Sequence, residues 1–178
     1  MNQYFYNTNV ASPNLDFIFD SINKNKITFR KTNLNIQIEP YPPISQDLIQ
    51  LDPFLKYINQ KVGGKGALNI FKFPSMTHYQ WHIDRFAKYN FNYVFDSYNS
   101  NSLFKAIEED SNMEDIHKSN FNVIEVPYIP KKWVLFNAQI QHCVNNLDTK
   151  NRFVLSYSVW KGCQISYEEM IEIVKSYN

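Results

Sequence analysis

Two histidines, one aspartate and one arginine carry the types and spacing in this chain that could do chemistry. The first pair stands in YQWHID, Tyr79 to Asp84, where His82 and Asp84 lie two positions apart in a segment rich in aromatic residues. On a strand that spacing aims both side chains at one face while Ile83 points to the other, so an imidazole and a carboxylate can converge on one ion. Two ligands hold a metal poorly. A third is His142, in FNAQIQHCVNN, if a rolled sheet brings its strand alongside the first. Ten residues later Arg152, one of three arginines, opens the apolar run RFVLSYSVW, which reads as a strand buried on both faces. A guanidinium there needs an anion, because an unpaired buried charge is costly and the planar fork matches a carboxylate. The neighbouring stretches Lys132 to Asn137 and Gln141 to Asn145 hold no acidic residue, so a dicarboxylate ligand could supply the partner.

Two histidines and one carboxylate with other positions left open is the facial arrangement of non-haem Fe(II) oxygenases. H-x-D alone is a weak signal, expected by chance in about one chain in five of this composition, whereas the arginine at that offset brings coincidence to about one in a hundred. The competing readings are bland ones. His82 and Asp84 could form a hydrogen-bonded pair without metal, and His142 could be a core histidine bonded to backbone. His78, in the turn PSMTH, reads as pocket-lining or solvent-facing, and His117 as exposed in a polar loop. Cys143 follows His142, so it points away from the metal and packs. Trp81, Trp133 and Trp160 read as core.

Strands at close spacing must position these groups, and the chain supplies them. After the turn signal KVGGKG come short segments rich in β-branched and aromatic residues: 67–73, 79–86, 90–97, 102–107, 121–126, 132–137, 141–145 and 152–160. Eight such strands suit two facing sheets or a rolled barrel. KVGGKG is no phosphate cradle, since Lys65 is followed by Gly66 and not by Ser or Thr. Before it, LDFIFDSI (15–22) has helical spacing, ITFRKTNLNIQI (27–38) alternates like a strand, and DLIQLDPFLKYINQKV (47–62) is helix-like around Pro53, with YPPIS (41–45) between them. The end, SYEEMIEIVKSY, reads as a helix with a capping box at Ser166 and Glu169 and an apolar face of Met170, Ile173 and Val174.

HID, the distal histidine and the arginine ten residues on resemble the HxD…H…R signature of the 2-oxoglutarate and Fe(II)-dependent oxygenase superfamily, over about 68–160. WHIDRFAKYNFNYVF also looks like small phage-type hydroxylase-like proteins. The resemblance implies a double-stranded β-helix, a jelly roll of cupin-like type, with flanking helices at both ends of the chain. It places HxD at the second core strand, the distal histidine at the seventh and the arginine at the eighth. It implies Fe(II) on His82, Asp84 and His142, and Arg152 on the far carboxylate of 2-oxoglutarate. Tyr79 matches a pocket tyrosine of prolyl-hydroxylase relatives, and Asn92 and Lys88 are further candidates for contact with the cosubstrate. The sequence departs from the pattern at three points. Phe71 and Phe73 stand where many members carry a cosubstrate-binding tyrosine, and Val154 stands where many carry Ser or Thr. Another hydroxyl or amide must complete the site. The turn before 132–137 often holds glycine in relatives and here reads PKKW.

Composition bounds the remaining possibilities. The chain has 178 residues, 44% hydrophobic, 16% aromatic and 20% charged, the profile of one folded domain. Residues 1–66 are expected to pack on the barrel, 67–160 to form it, and 166–176 to make the final helix. A formal net charge of +1 without a run of one sign gives no footprint for nucleic acid or an anionic membrane, and a small or neutral ligand fits better. The acidic stretch EEDSNMED reads as a solvated loop. Two cysteines outside any CxxC pair suggest reduced thiols, and the absence of a secretory signal or a long apolar run points to a cytoplasmic protein. The activity expected is that of a dioxygenase, using Fe(II), 2-oxoglutarate and O₂ to hydroxylate a substrate and releasing succinate and CO₂. The alternative is a cupin-like metal-binding barrel, an isomerase or a ligand- or protein-binding module, without oxygenase activity. Loops around 97–120 and the N-terminal third are expected to frame the pocket mouth.

Overall fold

In the computed structural model, residues 2–24, 29–31, 37–40, 44–96, 100–106 and 122–177 are described. The chain opens with strand β1 (Phe5–Ala11), in a segment where the sequence suggested no element. Pro13 then starts a short 3-10 turn that leads into α1 (Asp16–Asn23). The alternating stretch 27–38 is not one strand but β2 (Arg30–Lys31) and β3 (Gln37–Pro40), paired antiparallel to each other. Two helices follow, α2 (Ile44–Leu51) and α3 (Pro53–Lys61). Asp52 separates them: its carboxylate accepts from the Leu55 amide at 2.8 Å, and Pro53 takes the first helical position, where no amide hydrogen is needed. Gly63 and Gly64, both with positive φ, end α3 and turn the chain into the β region.

The eight strands of the β-helix follow in sequence order: β4 (Gly66–Phe73), β5 (Thr77–His82), β6 (Ala87–Val94), β7 (Ser100–Lys105), β8 (Val123–Glu125), β9 (Lys132–Phe136), β10 (His142–Asn146) and β11 (Arg152–Trp160). They divide between two antiparallel sheets, one ordered β1-β9-β6-β11-β4-β3-β2 and the other β5-β10-β7-β8. The second, seventh and eighth of them are β5, β10 and β11. Residues 97–99 and 107–121, which include His117, the acidic stretch and most of the expected mouth loops, lie outside the described residues.

Period-two alternation decides what each face of the larger sheet does. Tyr89, Phe91 and Tyr93 of β6, with Leu155, Tyr157 and Val159 of β11, face a core shared with Leu15, Ile49, Phe54 and Ile58 from the N-terminal helical section. That core is closed by α4 (Tyr167–Lys175), through Met170, Ile171 and Val174. The capping box at its start forms as the sequence implied, with Ser166 Oγ accepting from the Glu169 amide and Glu169 accepting from the Ser166 amide. The opposite face turns Asn90, Asn92, Arg152, Val154 and Ser156 toward the smaller sheet. β11 is therefore buried on both faces over most of its length, with only Phe153 and Ser158 half-buried between Arg152 and Val159. Trp133 is fully buried, but Trp160, at 48% exposed, leaves the core where β11 ends. Among the described residues no helix is long and apolar enough to cross a membrane.

Candidate metal centre

His82 and His142 face each other across a strand pair. They are register partners on β5 and β10, at the edge of the smaller sheet, and their ring centroids are 4.2 Å apart. Both imidazoles are oriented the same way. His82 Nδ1 is 2.7 Å from the carbonyl of Gln80, and His142 Nδ1 is 2.8 Å from that of Ile140, so each Nδ1–H donates to a backbone oxygen two residues back. That bond fixes the tautomer and leaves Nε2 with its lone pair for a ligand.

Asp84 joins them from outside the strand. β5 ends at His82, so the carboxylate does not reach the site by sharing a strand face, as the sequence spacing implied. Instead the chain turns, the Asp84 amide donates to the Ala138 carbonyl at 3.1 Å, and Ile83 is left exposed. Asp84 Oδ1 then lies 3.5 Å from His82 Nε2 and 3.9 Å from His142 Nε2. One atom from each of His82, Asp84 and His142 falls within 4.8 Å of the others, a spacing that one metal ion can bridge. The remaining oxygen, Oδ2, accepts from Asn90 Nδ2 at 2.6 Å.

Electrostatics prepare the donor atoms. Burial, reinforced by the nearby His82, lowers the His142 imidazole from 6.5 to about 4, so it is neutral at physiological pH. Burial alone would raise the Asp84 carboxyl; the hydrogen bond with His82, the nearby His142 imidazole and the Asn90 amide outweigh it and hold the group below its ordinary value. A neutral imidazole and an ionised carboxylate are the states a metal requires. Burial and the Asp84 charge raise the Tyr79 phenol, so it stays protonated. Burial also pushes the Cys143 thiol up to about 11, in keeping with a packing role for that side chain. The donor set, its fixed tautomers and its open side toward the pocket fit an Fe(II) ion on His82, Asp84 and His142.

A pocket between the sheets runs from these atoms to Arg152. The arginine is 1% exposed. Its Nη2 donates to Ser102 Oγ at 3.5 Å, and its guanidinium carbon sits 4.8 Å from the centre of the Tyr128 ring and 5.8 Å from that of Phe73. Phe71, Phe73, Val144 and Val154 form the apolar wall between the two ends. Tyr79 lines the pocket with its ring centroid 4.2 Å from that of His82, and Asn92 lines it while donating to the Tyr128 hydroxyl at 3.3 Å. Lys88 is not among the residues that line the pocket. Its ammonium donates to the carbonyls of Cys163 and Ile165: residue 88 shares the strand phase of Asn90 and Asn92 but lies beyond the pocket rim. His78 is exposed and bonded to Asn145, outside the lining.

Four polar lining residues escaped the sequence reading: Asn90, Ser102, Tyr128 and Ser156. Two of them carried a signal. Asn90 and Asn92 interrupt the aromatic run of β6 at every second position, and Ser156 repeats the phase of Arg152 and Val154 on β11. Tyr128 comes from the loop before β9, where no periodicity marks it.

Fold and cluster together define a double-stranded β-helix bearing a two-histidine, one-carboxylate group. No protein-family model and no curated protein matches the chain. Solved structures do. A prolyl-4-hydroxylase from Pseudomonas putida shares 13% identity, with 88% of this chain and 89% of that one covered and a TM-score of 0.56. A prolyl hydroxylase from Trichoplax adhaerens, solved with a hypoxia-inducible-factor peptide, shares 13% identity over 94% and 85%, with a TM-score of 0.59. The α-ketoglutarate-dependent non-haem epimerase SnoN of nogalamycin biosynthesis shares 9% over 85% and 75%, with a TM-score of 0.53. The resemblance drawn from the sequence thus holds in the fold and in the clustering of the three metal-ligand candidates.

Proposed function

We propose that the chain is an Fe(II)- and 2-oxoglutarate-dependent dioxygenase that hydroxylates its substrate. The observation that carries this reading is the convergence of His82 Nε2, His142 Nε2 and Asp84 Oδ1 at one end of a pocket whose other end is the buried Arg152. Bound there, iron would supply the activation of O₂ that is coupled to oxidative decarboxylation of the 2-oxoacid to succinate and CO₂. The protein's own contribution is to bind and orient. The two Nδ1 bonds hold the imidazoles in position, Asn90 holds Asp84, Arg152 holds a carboxylate, and the walls of Phe71, Phe73, Val144 and Val154 exclude water from the space between. Tyr79 and Asn92 line that space as pocket residues.

Anaerobic titration of the metal-free protein with Fe(II) and then 2-oxoglutarate tests the reading. A weak visible charge-transfer band in the wild type, absent from Asp84→Ala, is the expected result; no band from a folded wild type would overturn it. A second reading, a metal-binding barrel without oxygenase activity, draws on Phe71, Phe73 and Val154, which offer no hydroxyl where many oxygenases have one. Metal binding without 2-oxoglutarate binding in the same titration would favour it.

A further inference from the structure

Two surfaces of opposite charge adjoin near the metal end of the pocket. The first joins the turn after β5 to the end of β11. Phe86 is 71% exposed and Trp160 48%, and the Arg85 guanidinium carbon lies 5.2 Å from the centre of the Phe86 ring. The Lys161 amide donates to the Phe86 carbonyl at 3.0 Å, and the Lys65 ammonium donates to the Gly162 carbonyl at 3.2 Å, so three cations gather at two aromatic residues. Apart from Asp84, neither 83–86 nor 160–165 holds an acidic residue. Among the described residues Arg85 and Lys161 form no ion pair. One exposed aromatic is ordinary on a protein surface, but two at adjoining positions, one of them sheathed by a guanidinium, have the composition of an interface core.

The second surface begins four residues on. Lys88, by donating to the carbonyls of Cys163 and Ile165, ties the segment after β11 down to β6 and leads it into α4. Ile165 and Ile173, both half-buried, floor a groove edged by Glu168, Glu169 and Glu172. Glu169 closes the capping box and Glu172 pairs with Lys175 at 2.7 Å, whereas Glu168 has no ion pair among the described residues. From Lys161 to Ile165 the chain spans at most about 14 Å, so the patch and the groove are neighbours. Each surface fits the other and not itself: an aromatic ring bordered by cations matches an apolar floor bordered by carboxylates. Because the two adjoin, a two-fold axis between them seats the patch of each copy on the groove of the other, and the assembly closes at two. A polyanion such as nucleic acid fits less well, since the α4 carboxylates repel its phosphates.

We infer that the chain forms a two-fold homodimer in which Arg85, Phe86 and Lys161 of each copy seat on Ile165, Glu168 and Ile173 of the other. The seam then runs beside the partly exposed His82 and Asp84, so the second copy borders the metal site. Sedimentation equilibrium of the full chain tests this without metal or cosubstrate, and its outcome is independent of the reaction proposed above. Wild type is expected at twice the chain mass, with a dissociation constant that rises with salt. Arg85→Glu with Lys161→Glu sets carboxylates against the groove, and Glu168→Lys with Glu172→Lys sets cations against the patch. Each pair alone should raise the dissociation constant about a hundredfold or more. An equimolar mixture of the two double variants should recover the dimer, because an acidic patch meets a basic groove at one contact and the native pairing remains at the other; that recovery also shows both variants folded. A wild type that is monomeric throughout the concentration range, a dimer that tolerates either double variant, or folded variants that fail to associate on mixing overturns the assignment.

Discussion

Asn90 donates its side-chain amide to Asp84 Oδ2 at 2.6 Å, and Asp84 Oδ1 is thereby turned toward the two histidine Nε2 atoms. Asn90 belongs to β6 in the larger sheet, whereas Asp84 sits in the turn after β5 of the smaller one, so this bond fixes a ligand that its own strand does not hold. Loss of such a supporting contact costs about 10–100-fold in metal affinity. Asn90→Ala is expected to show that loss for Mn(II) or Co(II) in competition with a chelator. Unchanged affinity in a folded variant would mean that Asp84 is positioned by the turn alone.

The metal-free protein should lose stability in mildly acidic solution through His142. Its folded imidazole, lowered by burial to about 4 from 6.5, refuses a proton that the unfolded chain accepts. Its contribution is therefore complete above about pH 6.5 and disappears as pH falls toward 4, a total on the order of 3 kcal/mol. Asp84, held below its ordinary value, acts in a separate and more acidic window, below the usual carboxylate range. Urea unfolding at pH 7 and pH 4.5 measures the difference, and His142→Gln should remove most of it. The same loss in the variant would assign the effect to other groups.

Much of this was legible in the sequence because strands announce themselves by alternation. The eight segments after Gly66 and the buried arginine on β11 follow from period-two patterns and turn signals, whereas the meeting of His82 with His142 needed the rolled sheet that the resemblance implied. What alternation cannot convey is how a chain leaves a strand. Asp84 reaches the site through a turn and Tyr128 through a loop, and Tyr128 meets residues distant in sequence. β1 escaped notice because its stretch FYNTNVA mixes asparagine with apolar residues, and its partner β9 lies more than a hundred residues away. Lys88 went astray for the opposite reason, since proximity in sequence to Asn90 and Asn92 says nothing of where a pocket ends.

Gly66 opens β4 at a point that admits no side chain. A β-carbon there would stand 2.5 Å from the Tyr157 hydroxyl and 2.9 Å from the Ser158 carbonyl. The hydroxyl cannot easily retreat, as it donates to Asn59 Oδ1 at 2.7 Å and so ties β11 to α3. Gly66→Ala is expected to destabilise the protein by about 1–3 kcal/mol, the usual cost of overpacking, in chemical denaturation. Metal affinity should be unaffected, because the strain lies on the helix-facing side of the sheet. A variant as stable as wild type would show that β4 can shift without cost.

The pocket has the three candidate metal ligands at one end and the buried Arg152 at the other, so in the proposed function metal and diacid binding should reinforce each other. With Mn(II) present, 2-oxoglutarate at about a hundred times its dissociation constant should add about 2.7 kcal/mol, or roughly 5–10 °C in a chain of this size. Without metal the increment should be much smaller, since Arg152 would then hold one carboxylate alone. Arg152→Lys keeps the charge but exchanges the planar fork, seated between Ser102 and the Tyr128 ring, for a point charge on a flexible stem. In that variant the Mn(II) increment should persist while the 2-oxoglutarate increment at the same concentration falls to a fraction of its wild-type value. Thermal shift with each ligand alone and with both measures the three terms. If 2-oxoglutarate stabilised Arg152→Lys as strongly as wild type, the arginine would have no part in holding the diacid.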